Sequence, residues 1–277
     1  MKQGGFMERY REIEKSLIKK FRKTIWTKFV RAINDYQMIA ENDKIAVCIS
    51  GGKDSMLLAK CMQELQRHGK FKFDLEFITM DPGYHSDNIK LIEENAKLLN
   101  IPINIFKTDV FEVVSKYGQN EPCYLCARMR RGHLYEKAKE LGCNKIALAH
   151  HMDDVIETTM MNILYNGRFG TMMPKLNSTN HIGMELIRPL YYVLEEDIKS
   201  FVKSNDLHFM DCGCMTTVCS SSSKRYETKQ LIKELNKDNP NASKNILKSA
   251  SNVVLDTVIG YHKGKQYHCF MDEYDEE

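Results

Sequence analysis

Between Lys44 and Tyr165 the sequence alternates repeatedly between a short β-rich apolar run and a helical stretch. Lys44 to Ile49 reads as a strand and Ser55 to about His68 as a helix. Phe73 to Met80 is a second apolar run, followed by a helical pattern over Asp87 to Leu99. Ile103 to Phe106 forms a third strand, and Arg128 to Leu141 a helix. Lys145 to Ala149 is a fourth strand, and Asp153 to Tyr165 is helical again. Strands and helices of these lengths in strict alternation predict an α/β fold, a doubly wound, Rossmann-like parallel sheet covered by helices on both faces. Ligands of such sheets bind beyond the carboxyl ends of the strands, near the point where the strand order reverses.

The flanks read differently. Ile13, Leu17, Ile18, Phe21, Ile25, Phe29 and Ile33 recur at helical spacing, with Lys15, Lys19, Arg22, Lys23 and Arg31 largely between them. This predicts one or two basic amphipathic helices. From Met1 to Ala40 there are ten Lys/Arg against four Asp/Glu, whereas the last seven residues carry acids and no base. A net charge of only +3 forces no nucleic-acid reading by itself, but the basic start fits an anionic partner. Asn166 to Asn180, rich in Gly, Asn, Pro and Met, is expected to be a long loop. Glu195 to Ser204 is expected to be helical, Asp211 to Ser223 irregular, and Arg225 to Leu235 and Ser243 to Val258 helical. No apolar run reaches the roughly 18 residues of a membrane span, and the start lacks a signal-peptide core. A cytoplasmic protein with no membrane partner is therefore expected. In that compartment nine cysteines point to metal or redox chemistry rather than disulfides.

Two motifs fall at the predicted strand ends. Ser50-Gly51-Gly52-Lys53-Asp54-Ser55 joins the first strand to the first helix. Its glycines let backbone N–H groups approach an anion, and the helix N-terminus adds its partial positive charge. Lys53 can neutralise phosphate oxygens, Ser50 and Ser55 can donate to them, and Asp54 can hold Mg²⁺ or position the loop. The pattern is not Gly-x4-Gly-Lys-Ser/Thr; the plain alternative is a Gly-Gly turn before a helix. After the fourth strand comes Ala149-His150-His151-Met152-Asp153-Asp154. Adjacent carboxylates there suit Mg²⁺ and pyrophosphate, although Asp153 could simply cap a helix.

Cys123-Tyr-Leu-Cys126 follows Pro122 and precedes Arg128, Arg130 and Arg131, and Cys212, Cys214 and Cys219 lie far downstream. Soft thiolates at this spacing suit an iron–sulfur cluster, a zinc ion or a redox pair, and the residues alone leave the three open. Cys48, Cys61 and Cys143 fall in or beside predicted core elements and are expected to be buried small hydrophobes. Cys269 has no assigned role.

The six-residue loop resembles in full the SGGxDS signature of PP-loop enzymes, which cleave ATP between the α and β phosphates. From about Trp26 to about Ile232 the chain resembles the bacterial tRNA 2-thiocytidine synthetases. The resemblance is carried by Arg31-Ala32-Ile33, Met38-Ile39, Ser50–Ser55, Cys123 to Gly132, His150 to Asp154, Asn162, Tyr165-Asn-Gly167, Met173-Pro174-Lys175 and Ile187-Arg188-Pro189-Leu190. It implies a PP-loop ATP-pyrophosphatase domain over residues 43–205. Residues 1–42 form a basic helical extension, and 206–277 form a C-terminal region with helices and the third cluster ligand. It implies ATP-dependent sulfuration of a tRNA cytidine, with a 4Fe-4S cluster held by Cys123, Cys126 and a third cysteine. That third ligand is Cys212, with Cys214 next in line and Cys219 matching a non-ligand position. Implied ATP contacts are Ser50, Gly51, Gly52, Lys53, Asp54, Ser55, Met80, Ala149, Asp153 and Asp154, with Mg²⁺. Lys53, Asp54, Arg130 and Asp154 are the implied catalytic set. Lys19, Lys23, Arg131 and Lys175 are candidate tRNA contacts. A sulfur donor (a cysteine desulfurase or free sulfide) and a homodimer complete the implied partners. Flanking CxxC pairs of the 2-thiouridine enzymes are missing, which favours cytidine. The rival expectations are a zinc-containing PP-loop ligase acting on another tRNA base or a small molecule, and a nucleotide- and RNA-binding regulator without turnover.

Overall fold

The computed structural model describes residues 3–69, 72–118, 122–210, 224–272 and 274, with side chains from residue 9 onward. Its centre is strand β1 (Lys44–Ile49), buried along almost its whole length. Ile45, Val47 and Ile49 turn to one face of the sheet and Ala46 and Cys48 to the other, and each face meets its own apolar cluster. A strand covered on both sides reads as an unbroken apolar run, which is why its sequence does not alternate.

From β1 the chain runs through helix α3 (Lys53–His68) into β2 (Asp74–Asp81). It continues through α4 (Ser86–Leu98) into β3 (Ile103–Lys107), each strand parallel to its neighbour. Helices α5 (Val110–Tyr117) and α6 (Pro122–Glu140) then carry it back, and β4 (Lys145–Ala147) pairs with the other side of β1. After α7 (Met152–Asn166) come two short strands, β5 (Lys175–Asn177) and β6 (Glu185–Ile187). Strand β6 lies parallel to β4, and β5 lies antiparallel on the edge. The sheet order is therefore β3-β2-β1-β4-β6-β5. The order reverses between β1 and β4, so a crevice opens above their carboxyl ends.

The amino-terminal helices share the main core. Helices α1 (Gln3–Lys19) and α2 (Thr27–Asp35) flank a π-helical turn at Arg22–Trp26. Ile13, Leu17, Phe21, Ile25, Phe29 and Ile33 all enter the cluster that packs on β1 and α3. A repeat of exactly four residues drifts around a 3.6-residue helix, and one wider turn brings the stripe back to the same side. Lys60 of α3, fully buried, locks α1 down through Glu14 (2.6 Å) and the Leu99 carbonyl (2.9 Å).

Beyond α8 (Glu195–Ser204), helices α9 (Lys224–Asp238) and α10 (Ala242–Ser249) pack on α7. The chain ends in an exposed hairpin of β7 (Gly260–Lys263) and β8 (Gln266–Cys269). Several elements differ from expectation. The last helix stops at Ser249 instead of Val258, before the β-branched pair Val253-Val254. The expected loop over 166–180 contains β5, and α5, β6 and the hairpin were not expected. Three- and four-residue strands are too short to display a period. Among the described residues no helix is long and apolar enough to cross a membrane.

Candidate active site

The crevice above β1 and β4 is a cavity of about 560 Å³. Its floor comes from strand ends: Cys48 and Ile49 of β1 with Ser50 after it, Met80 of β2, and Leu148, Ala149 and His150 after β4. Helix α3 brings Asp54 and Ser55, α6 brings Ala127, Arg130, Arg131 and Leu134, and α7 brings Asp154.

The loop after β1 is braced by its own hydroxyls. The Ser50 N–H and hydroxyl both donate to Ser55 Oγ (3.1 and 3.2 Å), which donates to the Gly52 carbonyl (2.9 Å). Gly52 caps α3 without any side-chain hydrogen bond, so the first N–H groups of that helix are left for a ligand. Gly51 sits at φ +87°, and a β-carbon there would lie 2.5 Å from Ile92 Cγ1. Gly51→Ala therefore suffers both strain and overlap. It is expected to lower stability by about 1–3 kcal/mol and to abolish ATP binding, measurable by thermal melts and calorimetric titration.

Several expected residues are not brought together. The adjacent acids separate, because neighbours on a helix point about 100° apart. Asp154 faces the cavity, whereas Asp153 turns to α8 and accepts the Glu195 N–H (2.8 Å). Both carboxylates nonetheless keep an oxygen near His151 Nδ1, at 3.6 Å for Asp153 and 3.5 Å for Asp154. Lys53 also leaves the cavity. Its amine pairs with Glu195 (3.2 Å) and Asp54 (3.1 Å), and Glu195 is further held by Lys199 and Lys229. Lys175 is tied to Glu185 (3.3 Å) and the Gln37 carbonyl, while Lys19 and Lys23 lie exposed on the amino-terminal helices.

The cations that do reach the cavity are arginines. Arg130 donates to the Tyr84 hydroxyl (3.2 Å), and Arg131 stands exposed at the mouth. Arg188, only 7% exposed, donates to the Met173 carbonyl, yet its Nε has no hydrogen-bond partner among the described residues. Burial pulls its guanidinium down to about 10, so it stays charged at neutral pH. Burial, aided by Arg188, pulls His150 down to about 4, so that imidazole is neutral. For Asp154 burial acts upward, but His151, its backbone N–H, His150 and Arg225 outweigh it and hold the carboxyl below its usual range. Asp154 accepts from the His151 N–H (2.9 Å) and pairs with Arg225 of α9 (3.0 Å). Three guanidinium groups against two carboxylates make the cavity an anion site.

Sequence reasoning gave no role to Arg188, His150 or Arg225. A buried-looking run interrupted by Arg188-Pro189 was the available signal, because a charge amid apolar neighbours needs a partner.

Cys123 and Cys126 lie in the opening residues of α6, about one turn apart; the helix starts at Pro122 and not at Arg128 as expected. Proline is pre-organised for the first helical position, so the signal was present. The thiols thus sit on the same helix end that supplies Ala127 to the cavity wall. Cys212, Cys214 and Cys219 lie outside the described residues, and among the described residues no group of three metal-binding side chains forms. Cys48, Cys61 and Cys143 are buried, and burial pushes the Cys48 and Cys143 thiols up to about 12 and about 11. Cys61 and Cys143 fill the core, whereas Cys48, although buried, lies against the cavity.

Comparison with known proteins follows the same lines. A model of the PP-loop domain matches residues 22–214. The tRNA-cytidine(32) 2-sulfurtransferase of Geotalea uraniireducens is 38% identical over 226 residues, 80% of this chain and 88% of the relative. The protein of the same name from Coxiella burnetii is 36% identical over 250 residues, 88% of this chain and 91% of the relative. Among solved structures, the U34-tRNA thiolase NcsA from Methanococcus maripaludis with its 4Fe-4S cluster superposes with a TM-score of 0.66 at 21% identity. The match covers 86% of this chain and 80% of that one, a likeness of fold. The chain therefore belongs to the PP-loop family and, within it, to the group of the tRNA-cytidine(32) 2-sulfurtransferases.

Proposed function

We propose that this protein uses ATP to sulfurate a tRNA base, converting cytidine to 2-thiocytidine in the anticodon loop. One observation carries the reading: two chemistries converge on one cavity. The phosphate loop forms one wall, and the helix that opens with Cys123 and Cys126 forms another. The names of the relatives, which specify cytidine 32 of tRNA, support the choice of base.

In this reading the triphosphate of ATP lies against the amino terminus of α3, with Met80 and Ala149 beside the nucleotide. The C2 carbonyl oxygen of the cytosine attacks the α-phosphorus, the bond to the β-phosphate oxygen breaks, and pyrophosphate leaves. Arg130 and Arg188 offset the charge that develops, already oriented before the nucleotide arrives. A sulfur atom then bonds to C2 as the C2–O bond breaks, and AMP departs with that oxygen. Sulfur enters at the sulfide level, so the exchange needs no net oxidation or reduction. Neutral His150 can exchange hydrogen bonds with the base without adding charge beside Arg188.

The residues fit the two inorganic partners. Asp54 Oδ1 is buried without a hydrogen-bond donor among the described residues, which suits a Mg²⁺ ligand. Cys123 and Cys126 offer two thiolates one helical turn apart, and Cys212 or Cys214 would add the third for a 4Fe-4S cluster. When bound, that cluster supplies the sulfide-level sulfur. In this reading Arg131 and the exposed Lys19 and Lys23 meet RNA phosphates.

The test is nucleoside mass spectrometry. Reconstituted protein with ATP, Mg²⁺, sulfide and unmodified tRNA is expected to yield 2-thiocytidine and one pyrophosphate per product. The appearance of 2-thiouridine or lysidine, or pyrophosphate release indifferent to tRNA, would defeat the proposal.

A further inference from the structure

Helix α6 presents a single stripe to the cavity: Ala127, Arg130, Arg131 and Leu134 all line it. At about 100° per residue, Tyr124 falls one turn before Ala127 and two turns before Arg131 on the shoulder of that stripe, toward solvent. It stands in the turn that carries the two thiols, and it is 60% exposed. Packing gives no reason for a large ring there, since most of its surface stays in water. Arg128, one turn further along the same shoulder, and Arg131 are both exposed. Helical spacing thus sets an exposed aromatic ring next to the cavity-lining stripe, with two exposed arginines on the following turns of the same helix.

Planar, stackable and anionic is the chemistry of a nucleotide. A base that enters the cavity must leave its stack, and the base next to it loses a stacking partner on that side. A solvent-exposed ring at the rim replaces that partner, and neighbouring arginines hold the phosphates. We propose that Tyr124 is the stacking platform for the nucleotide adjacent to the target base, with Arg128 and Arg131 on its phosphates. The inference rests on the tRNA-sulfuration reading and adds the residue that holds the substrate loop open.

The test uses the cluster-loaded full chain and an anticodon stem-loop RNA carrying 2-aminopurine next to the target cytidine. In the wild type the probe is expected to be quenched on binding, by contact with the ring. Tyr124→Ser and Tyr124→Leu should lose the quench and raise the KM for tRNA about tenfold or more, in line with base–aromatic stacking. Tyr124→Trp should restore both. Iron content and the KM for ATP should not move in any variant. Unchanged quench and KM in Tyr124→Ser overturn the proposal, as does loss of iron in that variant, which would make the ring a support for the metal site. A wild type that binds no RNA and makes no thiolated nucleoside overturns the function reading itself, a separable outcome.

Discussion

Arg188→Met is expected to lower tRNA-dependent pyrophosphate release by about 10²- to 10³-fold while leaving the melting temperature unchanged or raised. The two effects have one cause. Arg188 is buried just after β6; among the described residues no carboxylate is hydrogen-bonded to it and its Nε is unpartnered, and burial opposes its charge. With its guanidinium held only by the Met173 carbonyl among the described residues, such a group weakens the free protein and gains a counter-charge when an anion arrives. Methionine keeps the volume and removes the desolvation cost, but it also removes a preorganised cation from the cavity. A second signature follows from His150, held down to about 4 by burial first and by Arg188 next. Removing the guanidinium should let the His150 pKa rise toward its ordinary value, measurable by NMR titration. The sign for stability is fixed as well. The unfolded chain protonates this histidine near 6.5 and the folded one near 4. Its contribution is complete above the higher value and is lost as pH falls between the two. The variant should narrow that window. Wild-type turnover in Arg188→Met, or a falling melting temperature, would show that the arginine serves the fold.

The same arginine marks the limit of what the sequence discloses. The phosphate loop is contiguous, Ser50 to Ser55, and its neighbours Lys44–Ile49 form a strand buried on both faces, so both were legible from order alone. Cys123 and Cys126 were legible as a spacing, and Pro122 already marked the start of their helix. What order alone does not give is direction. Lys53 belongs to the motif, yet Glu195, from a helix far along the chain, draws its amine away from the cavity. Asp153 and Asp154 are adjacent in sequence and take different partners because a helix turns between them, one bonding the start of α8 and one lining the cavity. Arg188 and Arg225 reach the site only through packing of elements distant in sequence. A linear motif fixes which residues are near; the phase of a helix and the partner on the next element decide where each side chain goes.

Cys123→Ser is expected to separate the two halves of the reaction. Activation of the base rests on the loop at Ser50–Ser55 and on Arg130 and Arg188 at the cavity. Sulfur insertion rests on the thiolates. A hydroxyl at position 123 is nearly the same size but is neutral at pH 7 and a poor ligand for iron, so the site would lose one of its thiolates. Thiolated nucleoside should fall by about 10³-fold or more, while tRNA-dependent pyrophosphate release stays within several-fold of wild type. The iron and acid-labile sulfide bound after anaerobic reconstitution should fall in parallel with the product. Cys61→Ser is the matched control, because that thiol is buried in α3 away from the cavity. It should cost stability, through a buried hydroxyl, and leave iron content intact. Zinc in place of iron in the wild type would favour a ligase whose cysteines serve the fold. Full thiolation by Cys123→Ser would remove the CxxC pair from the chemistry altogether.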